Sequence, residues 1–365
     1  MTQPTPLQRA AQAMTRRGVA ALLIGPGADL TTLTSYRAHL SERLTLLVAR
    51  AGGPHTLIVP ALERPVAEAG SHGVDIHSYD EGQDPLDLVA AALEATPSEA
   101  VIGVGDQLWA TFLLGVQQIR PQARWQPASI VTREVRMAKD TAGLEGLRRA
   151  GRAIDAVHRR MAEFLVAGRT EAEAGTAIAS AMHEEGHDHA AFVIVGSGPN
   201  GASPHHETSD RVMRSGDAVV VDIGGPVAGW FSDCTRNYVL GQAPEGYRAA
   251  FDVLQAAQRA AVAQVRPGVT AASVDAAARQ VISDAGFGPA FIHRTGHGIG
   301  LEVHEEPWIT AGNQLLLAEG MTFSVEPGIY LDGRFGMRIE DIVAVTSDGV
   351  ERLNTTDIAL VHLPS

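Results

Sequence analysis

Cysteine is almost absent from this chain: Cys234 is the only one in 365 residues, so no intramolecular disulfide can form. Long apolar runs are missing too. The longest hydrophobic stretches are strand-sized, well short of the roughly 20 residues that cross a bilayer as a helix. Residues 1–17 are polar, end in Arg16 and Arg17, and lack the apolar segment that a secretory leader needs. A cytoplasmic protein without a membrane partner is expected. Positive charge is also scarce, since 42 acidic residues face 29 basic ones for a formal charge of −13. That balance argues against nucleic acid as the main partner and leaves room for a local basic pocket.

A length of 365 residues predicts two domains, and a hydrophobic content of 45% suffices for sizeable cores. Residues 5–17 read as a helix and 19–24 as a strand ended by Gly25-Pro26-Gly27. Gly52-Gly53-Pro54 separates two further strands as a hairpin signal, and short helical and stranded segments then alternate to about residue 119. Residues 1–132 are therefore expected to form a small α/β domain. Beyond it the pattern lengthens into helices over 141–167 and 171–186, with Gly168 as a stop and Thr170 and Glu173 as a capping box. Strands, two more helices near 244–264 and 269–284, and a final stranded portion complete an α+β domain over 133–365. Its halves, each helical and then stranded, suggest a diverged internal repeat.

Two aspartates interrupt what should be apolar strands. Asp222 follows Val219-Val220-Val221, and Asp233 lies beyond a glycine-containing turn in WFSDCTR. A buried charge needs a partner, and two like charges need something positive between them. Gly224, Gly225 and Gly229 in the intervening segment predict a tight hairpin that brings the carboxylates face to face. Thr235 shares a side with Asp233 and can orient a carboxylate, while Cys234 points the other way as core filler.

More ligand-type residues follow: His293 and His297 in FIHRTGHGIG, His304 in LEVHEEPW, Glu326 in MTFSVEPGIY and Glu340 in GMRIEDIVAV. Asp222, Asp233, His297, Glu326 and Glu340 make four carboxylates and one imidazole, too negative a set for one divalent ion. Two ions about 4 Å apart, bridged by carboxylates and by a water that becomes the nucleophile, balance the charge. Oxygen-rich ligation favours Mn²⁺, with Co²⁺, Zn²⁺ and Fe²⁺ as alternatives. The spacing is not that of a zinc finger, an HExxH helix or a calcium loop.

The strings VDIGG, FSDCTR, HRTGHGIG, VHEEP, VEPGIY and RIED resemble, in order, those of the pita-bread metallopeptidases, especially the Xaa-Pro branch of prolidase and aminopeptidase P. The resemblance covers residues 135–360 strongly. Over 1–130 it is weaker, and there the length and pattern are similar to a creatinase-type N-terminal domain. It implies that both metals fall on the five residues above, with none missing. The implied reaction cleaves the bond between an N-terminal residue and proline, as an Xaa-Pro dipeptidase or, on longer peptides, an aminopeptidase P. Methionine aminopeptidases share the ligands but usually lack such a leading domain. A non-catalytic pita-bread interaction protein would usually have lost ligands, and creatinase lacks the set.

The resemblance also suggests roles. Glu326 becomes the proton shuttle, and His205, in SPHHE, and His304 become donors to the scissile carbonyl or oxyanion. His206 beside them reads as an ordinary loop histidine. Arg338, two residues before Glu340, is expected to face the ligands and orient carboxylates. Phe192, Ile292, His293 and Tyr330 are candidates for an apolar wall against the proline ring. Some prolidases meet the substrate carboxylate with an arginine ahead of the EPG glutamate, but residues 307–323 contain none. Arg37 and Arg43 are the candidates instead, from a second subunit if the chain forms the homodimer common among relatives.

Overall fold

The first helix, α1 (Pro6–Arg17), starts where Thr5 and Gln8 bond each other's backbone N–H, with Pro6 at its first position and Gly18 closing it at φ 67°. The structure, a computed structural model, describes residues 4–364, and the chain divides between Arg136 and Met137 into two units. The first unit continues with β1 (Ala21–Ile24), α2 (Ala28–Thr34), β2 (Leu46–Arg50), β3 (His55–Pro60), α3 (Arg64–Gly70), β4 (Asp75–Tyr79), α4 (Leu86–Ala92), β5 (Val101–Val104), α5 (Ala110–Ile119), β6 (Arg124–Pro127) and α6 (Ser129–Met137). Its strands make one sheet in the order β4-β3-β2-β1-β5-β6. Alternation along β1 sorts the two faces: Leu22 and Ile24 join Met14, Leu30 and Val135, whereas Ala21 and Leu23 join Val89 and Val116. Helices cover both faces, as an α/β reading requires.

Three of these elements escape the sequence pattern. α2 has only seven residues, too few to display a helical period, and β6 is a largely unburied edge strand without apolar alternation. α6 lies in the stretch read as a domain end.

The second unit contains α7 (Thr141–Arg159), α8 (Met161–Phe164), α9 (Glu171–Glu184), β7 (Phe192–Ser197), β8 (Ala218–Val227), β9 (Trp230–Leu240), α10 (Tyr247–Gln264), α11 (Ala271–Asp284), β10 (Gly296–Gly298), β11 (Glu305–Ile309), β12 (Thr322–Val325), β13 (Gly328–Leu331), β14 (Phe335–Arg338), β15 (Asp341–Val345), β16 (Val350–Arg352) and β17 (Val361–Leu363). The expected single helix over 141–167 does not form. The chain turns at Arg160, which lets Met161, Phe164 and Leu165 enter the core against the sheet. Gly168, at φ 94°, belongs to the turn that follows. Thr170 and Glu173 do make the capping box of α9.

One sheet runs β17-β9-β8-β7 and another β11-β10-β12-β15-β16. α7 to α9 pack on the first, and α10 and α11 pack mainly on strands of the second half. The internal repeat is visible in matching backbone bonds. Gly168 N bonds Met213 O and Glu171 N bonds Arg211 O, just as Gly268 N bonds Leu317 O and Ala271 N bonds Leu315 O. Thr170 and Thr270 cap α9 and α11 alike. Gly216 and Gly320, both at positive φ, each precede a strand and stand six residues ahead of a carboxylate, Asp222 within β8 and Glu326 just past the end of β12.

Arg236 ties the two sheets together from a fully buried position. Its guanidinium pairs with Asp341 at 2.7 Å and donates to the carbonyls of Thr235, Glu340, Thr356 and Asp357. Arg236→Met would leave those acceptors and Asp341 short of a buried partner. It is expected to lower unfolding free energy by about 3–5 kcal/mol, read from the urea midpoint.

Candidate metal centre

The hairpin of β8 and β9 turns on two residues, Ala228 and Gly229, with φ of 49° and 80°. Positive φ at both positions is the two-residue turn that suits strand twist, and Asp188 accepts both turn N–H groups. Gly224 and Gly225 therefore do not make the turn. A Cβ on Gly224 would lie 2.3 Å from the Phe192 ring, and one on Gly225 would lie 2.4 Å from His189 O.

The register also corrects the face-to-face expectation. Asp222 lies opposite Thr235 and Asp233 opposite Gly224, so the aspartates share one face diagonally. Phe192 pairs with Gly224 and sits on that same face. Cys234, on the other face, is buried with Ile223 and Tyr238.

The second half brings its ligand-type residues to this face. His297, on β10, has Nε2 3.3 Å from Glu326 Oε1 and 3.6 Å from Asp233 Oδ2. Its Nδ1 lies 3.1 Å from Gly298 O, which can only accept, so Nδ1 carries the proton. Burial lowers the imidazole pKa to about 4. The neutral ring thus aims an Nε2 lone pair at carboxylate oxygens, an arrangement that a cation would satisfy.

Asp233, His297 and Glu340 each offer a ligand atom, all within 4.8 Å of one another. Buried Asp222 Oδ1 and Glu340 Oε1 have no hydrogen-bond partner among the described residues. Burial pushes the Asp233 and Glu340 carboxyls well above the usual range, and the surrounding carboxylates push further. Burial raises Glu326 too, against the opposing influence of His293 and Arg338. Partnerless oxygens, an acceptor imidazole and disfavoured negative charge all fit divalent cations.

Hydroxyls and one guanidinium orient the set. Thr235 Oγ1 donates to Glu340 Oε2 at 2.7 Å and accepts from Arg338 Nε at 3.1 Å. Arg338 Nη2 pairs closely with Asp222, and Nη1 donates to Tyr330 OH at 2.7 Å. Ser324 Oγ accepts from His297 N and donates to Glu326. His293 Nε2 lies 3.0 Å from Tyr330 OH, and Ile292 beside it is 65% exposed. The His304 ring lies over His297 with centroids 4.2 Å apart. Burial, then His297, Arg294 and His205, disfavours charge on His304. Arg37 and Arg43 belong to the first unit, where Arg43 pairs with Glu42 and Glu81.

Sequence reasoning missed several supports. Lys139, the only lysine in the chain, is buried against Glu305 at 2.6 Å, next to His304. Its uniqueness was the signal available. His206, read as an ordinary loop histidine, bonds the buried carboxylate of Glu171.

With this geometry established, residues 145–347 match metallopeptidase family M24 and residues 6–138 match the creatinase/prolidase N-terminal domain. The chain belongs to metallopeptidase family M24. Its second unit is the pita-bread domain of that family, preceded by the creatinase-type domain. Among M24 relatives, the probable dipeptidase PepE of Mycobacterium tuberculosis is 48% identical over 98% of this chain and 96% of its own. The crystal structure of dipeptidase PepE from Mycobacterium ulcerans is 49% identical, with a TM-score of 0.92 over 99% of this chain and 97% of that one. Xaa-Pro dipeptidase of Lactobacillus delbrueckii subsp. lactis is 34% identical over 91% of each chain. The M24 ligand strings thus lie in a chain related to these proteins over nearly its whole length.

Two outcomes follow from the geometry. Thr235→Val removes the hydroxyl between Arg338 and Glu340 and is expected to weaken divalent-metal binding about 10–100-fold, read by metal titration. Raised carboxyl pKa values mean that protons compete with metal, so affinity should fall as pH drops from about 8 to about 6. His297 stays neutral over that range. Calorimetry in two buffers of different ionisation enthalpy should register proton release on binding.

Proposed function

We propose that this chain is a metal-dependent exopeptidase that cleaves the bond between an N-terminal residue and proline, acting as an Xaa-Pro dipeptidase. The observation that carries the reading is the buried carboxylate set around a neutral His297, with Asp222 Oδ1 and Glu340 Oε1 lacking hydrogen-bond partners among the described residues, in a chain similar over its length to dipeptidases. Asp222, Asp233, His297, Glu326 and Glu340 would hold two divalent ions, Mn²⁺ first among them. Such ions supply Lewis acidity toward the scissile carbonyl and acidify a water.

The protein's own groups do the rest. Glu326 receives a proton at its carboxylate and passes it to the leaving proline nitrogen, a task suited to a carboxyl of raised pKa. His304 and His205 donate N–H groups to the carbonyl oxygen as it gains charge. Arg338, fastened to Asp222, Thr235 and Tyr330, keeps the carboxylates in place and offsets their charge. Phe192, His293, Tyr330 and Ile292 offer apolar surface for the proline ring and restrict water. Arg37 or Arg43 of a second subunit meets the dipeptide carboxylate, in a cytoplasmic homodimer. The substrates are small peptides with proline second.

A second reading, aminopeptidase P, is favoured by the lack of any arginine between residues 307 and 323. Rates on Leu-Pro and Leu-Pro-Pro with Mn²⁺-loaded and metal-stripped protein separate the two. Metal-dependent cleavage confined to Leu-Pro is expected; efficient cleavage of Leu-Pro-Pro would replace the dipeptidase reading, and no turnover of either would defeat both. Glu326→Gln should abolish turnover while leaving the fold intact, as checked by circular dichroism. His205→Ala should lower kcat about 10²–10³-fold.

A further inference from the structure

Glu171, the first residue of α9, is wholly buried and is not one of the proposed metal ligands. Its Oε1 accepts from Ser197 N at 2.8 Å and Ser197 Oγ at 2.6 Å. Oε2 accepts from Ser209 Oγ at 2.7 Å, Ser209 N at 3.2 Å and His206 Nε2 at 2.7 Å. Asn200 Nδ2 reaches both oxygens at 3.1 Å. Backbone bonds from Glu171 N to Arg211 O and from Ala172 N to Ser209 O fasten the far side of the same loop. One buried carboxylate therefore gathers both ends of the segment that contains His205. Burial alone would raise its pKa, but the bonds from Ser197, Ser209 and His206 hold it below the usual glutamate value.

His205 sits between two anchored neighbours. On one side Pro204 O accepts from Arg338 Nη1 at 3.4 Å, and on the other His206 bonds Glu171. The exposed His205 side chain thus leaves a backbone fixed at the preceding and following residues, one anchor within the metal centre and one on α9. Misplacing a reacting contact by about 1 Å can cost roughly 10²-fold in rate.

We propose that Glu171 and His206 form a clamp of positioning residues that sets the His205 loop for the reaction. The clamp rests on the reading of His205 as a donor to substrate. Glu171 has to be acceptor-only, because Ser197 N, Ser209 N and His206 Nε2 all donate to it. Glu171→Gln would keep the shape and turn an amide N–H₂ against those donors. A glutamine at 206 can still supply an N–H, whereas alanine cannot.

The test compares His205→Ala, His206→Ala, His206→Gln, Glu171→Gln and the double variant His205→Ala/His206→Ala as full-length, Mn²⁺-loaded protein. kcat and KM are measured on whichever of Leu-Pro and Leu-Pro-Pro the parent protein cleaves, with metal content and hydrogen exchange of residues 198–209 alongside. His206→Ala should lower kcat about 10–100-fold with little change in KM or metal content, and should speed exchange in the loop. His206→Gln should recover most of that loss. In the His205→Ala background, His206→Ala should cost nothing further. Loss of kcat in His205→Ala beside a parental rate and unchanged loop exchange in His206→Ala would overturn the clamp alone. So would an undiminished effect of His206→Ala in the double variant, or failure of glutamine to rescue. A parental rate in His205→Ala would overturn the donor reading, and the clamp with it. If Glu171→Gln does not fold, the His206 pair still decides.

Discussion

Mutual repulsion among buried carboxylates is the constraint around which the second unit is built. Ligand atoms of Asp233 and Glu340 lie within 4.8 Å of each other. At that separation two unit charges repel by about 3–4 kcal/mol for an effective dielectric constant of ~20. A few such pairs would rival the roughly 5–15 kcal/mol by which a domain is stable. Arg338 offsets part of the excess through Asp222, and Thr235 hands a hydroxyl to Glu340. Both leave Asp222 Oδ1 and Glu340 Oε1 without a hydrogen-bond partner among the described residues. The scaffold orients the charges without neutralising them, which reserves the remaining compensation for bound cations.

The repeat explains how distant parts of the chain supply the set. Asp222 and Glu326 occupy corresponding places after Gly216 and Gly320, one on each half. Joining the halves builds a centre that neither half contains. Arg236 makes the join explicit, because its buried guanidinium on β9 bonds Asp341 and the carbonyl of Glu340. The same contacts that hold β9 to β15 therefore set the position of Glu340, one of the three residues that could hold a metal ion together.

Much of this centre was legible in the sequence because charge in an apolar strand is conspicuous. Asp222 after three valines and Glu326 after Phe323-Ser324-Val325 stand out without any structure. Thr235 followed from strand alternation, and Thr170 with Glu173 from capping chemistry. What stayed hidden depends on contacts between segments far apart in the chain. Gly224 looked like a turn residue because the Phe192 ring that needs its space lies 32 positions earlier. His206 looked bland because Glu171, its partner, is on another element. The break at Arg160 was also invisible, since residues on both sides favour helix and only the core decides where Phe164 goes.

The most direct test of the account is the number of divalent ions per chain after reconstitution with Mn²⁺, by elemental analysis of desalted protein, with melting temperature before and after chelation. The account predicts two ions per chain and a melting temperature that falls on their removal and returns on their replacement, as binding to the folded state requires. A chain that retains no divalent ion and melts at the same temperature throughout would contradict it.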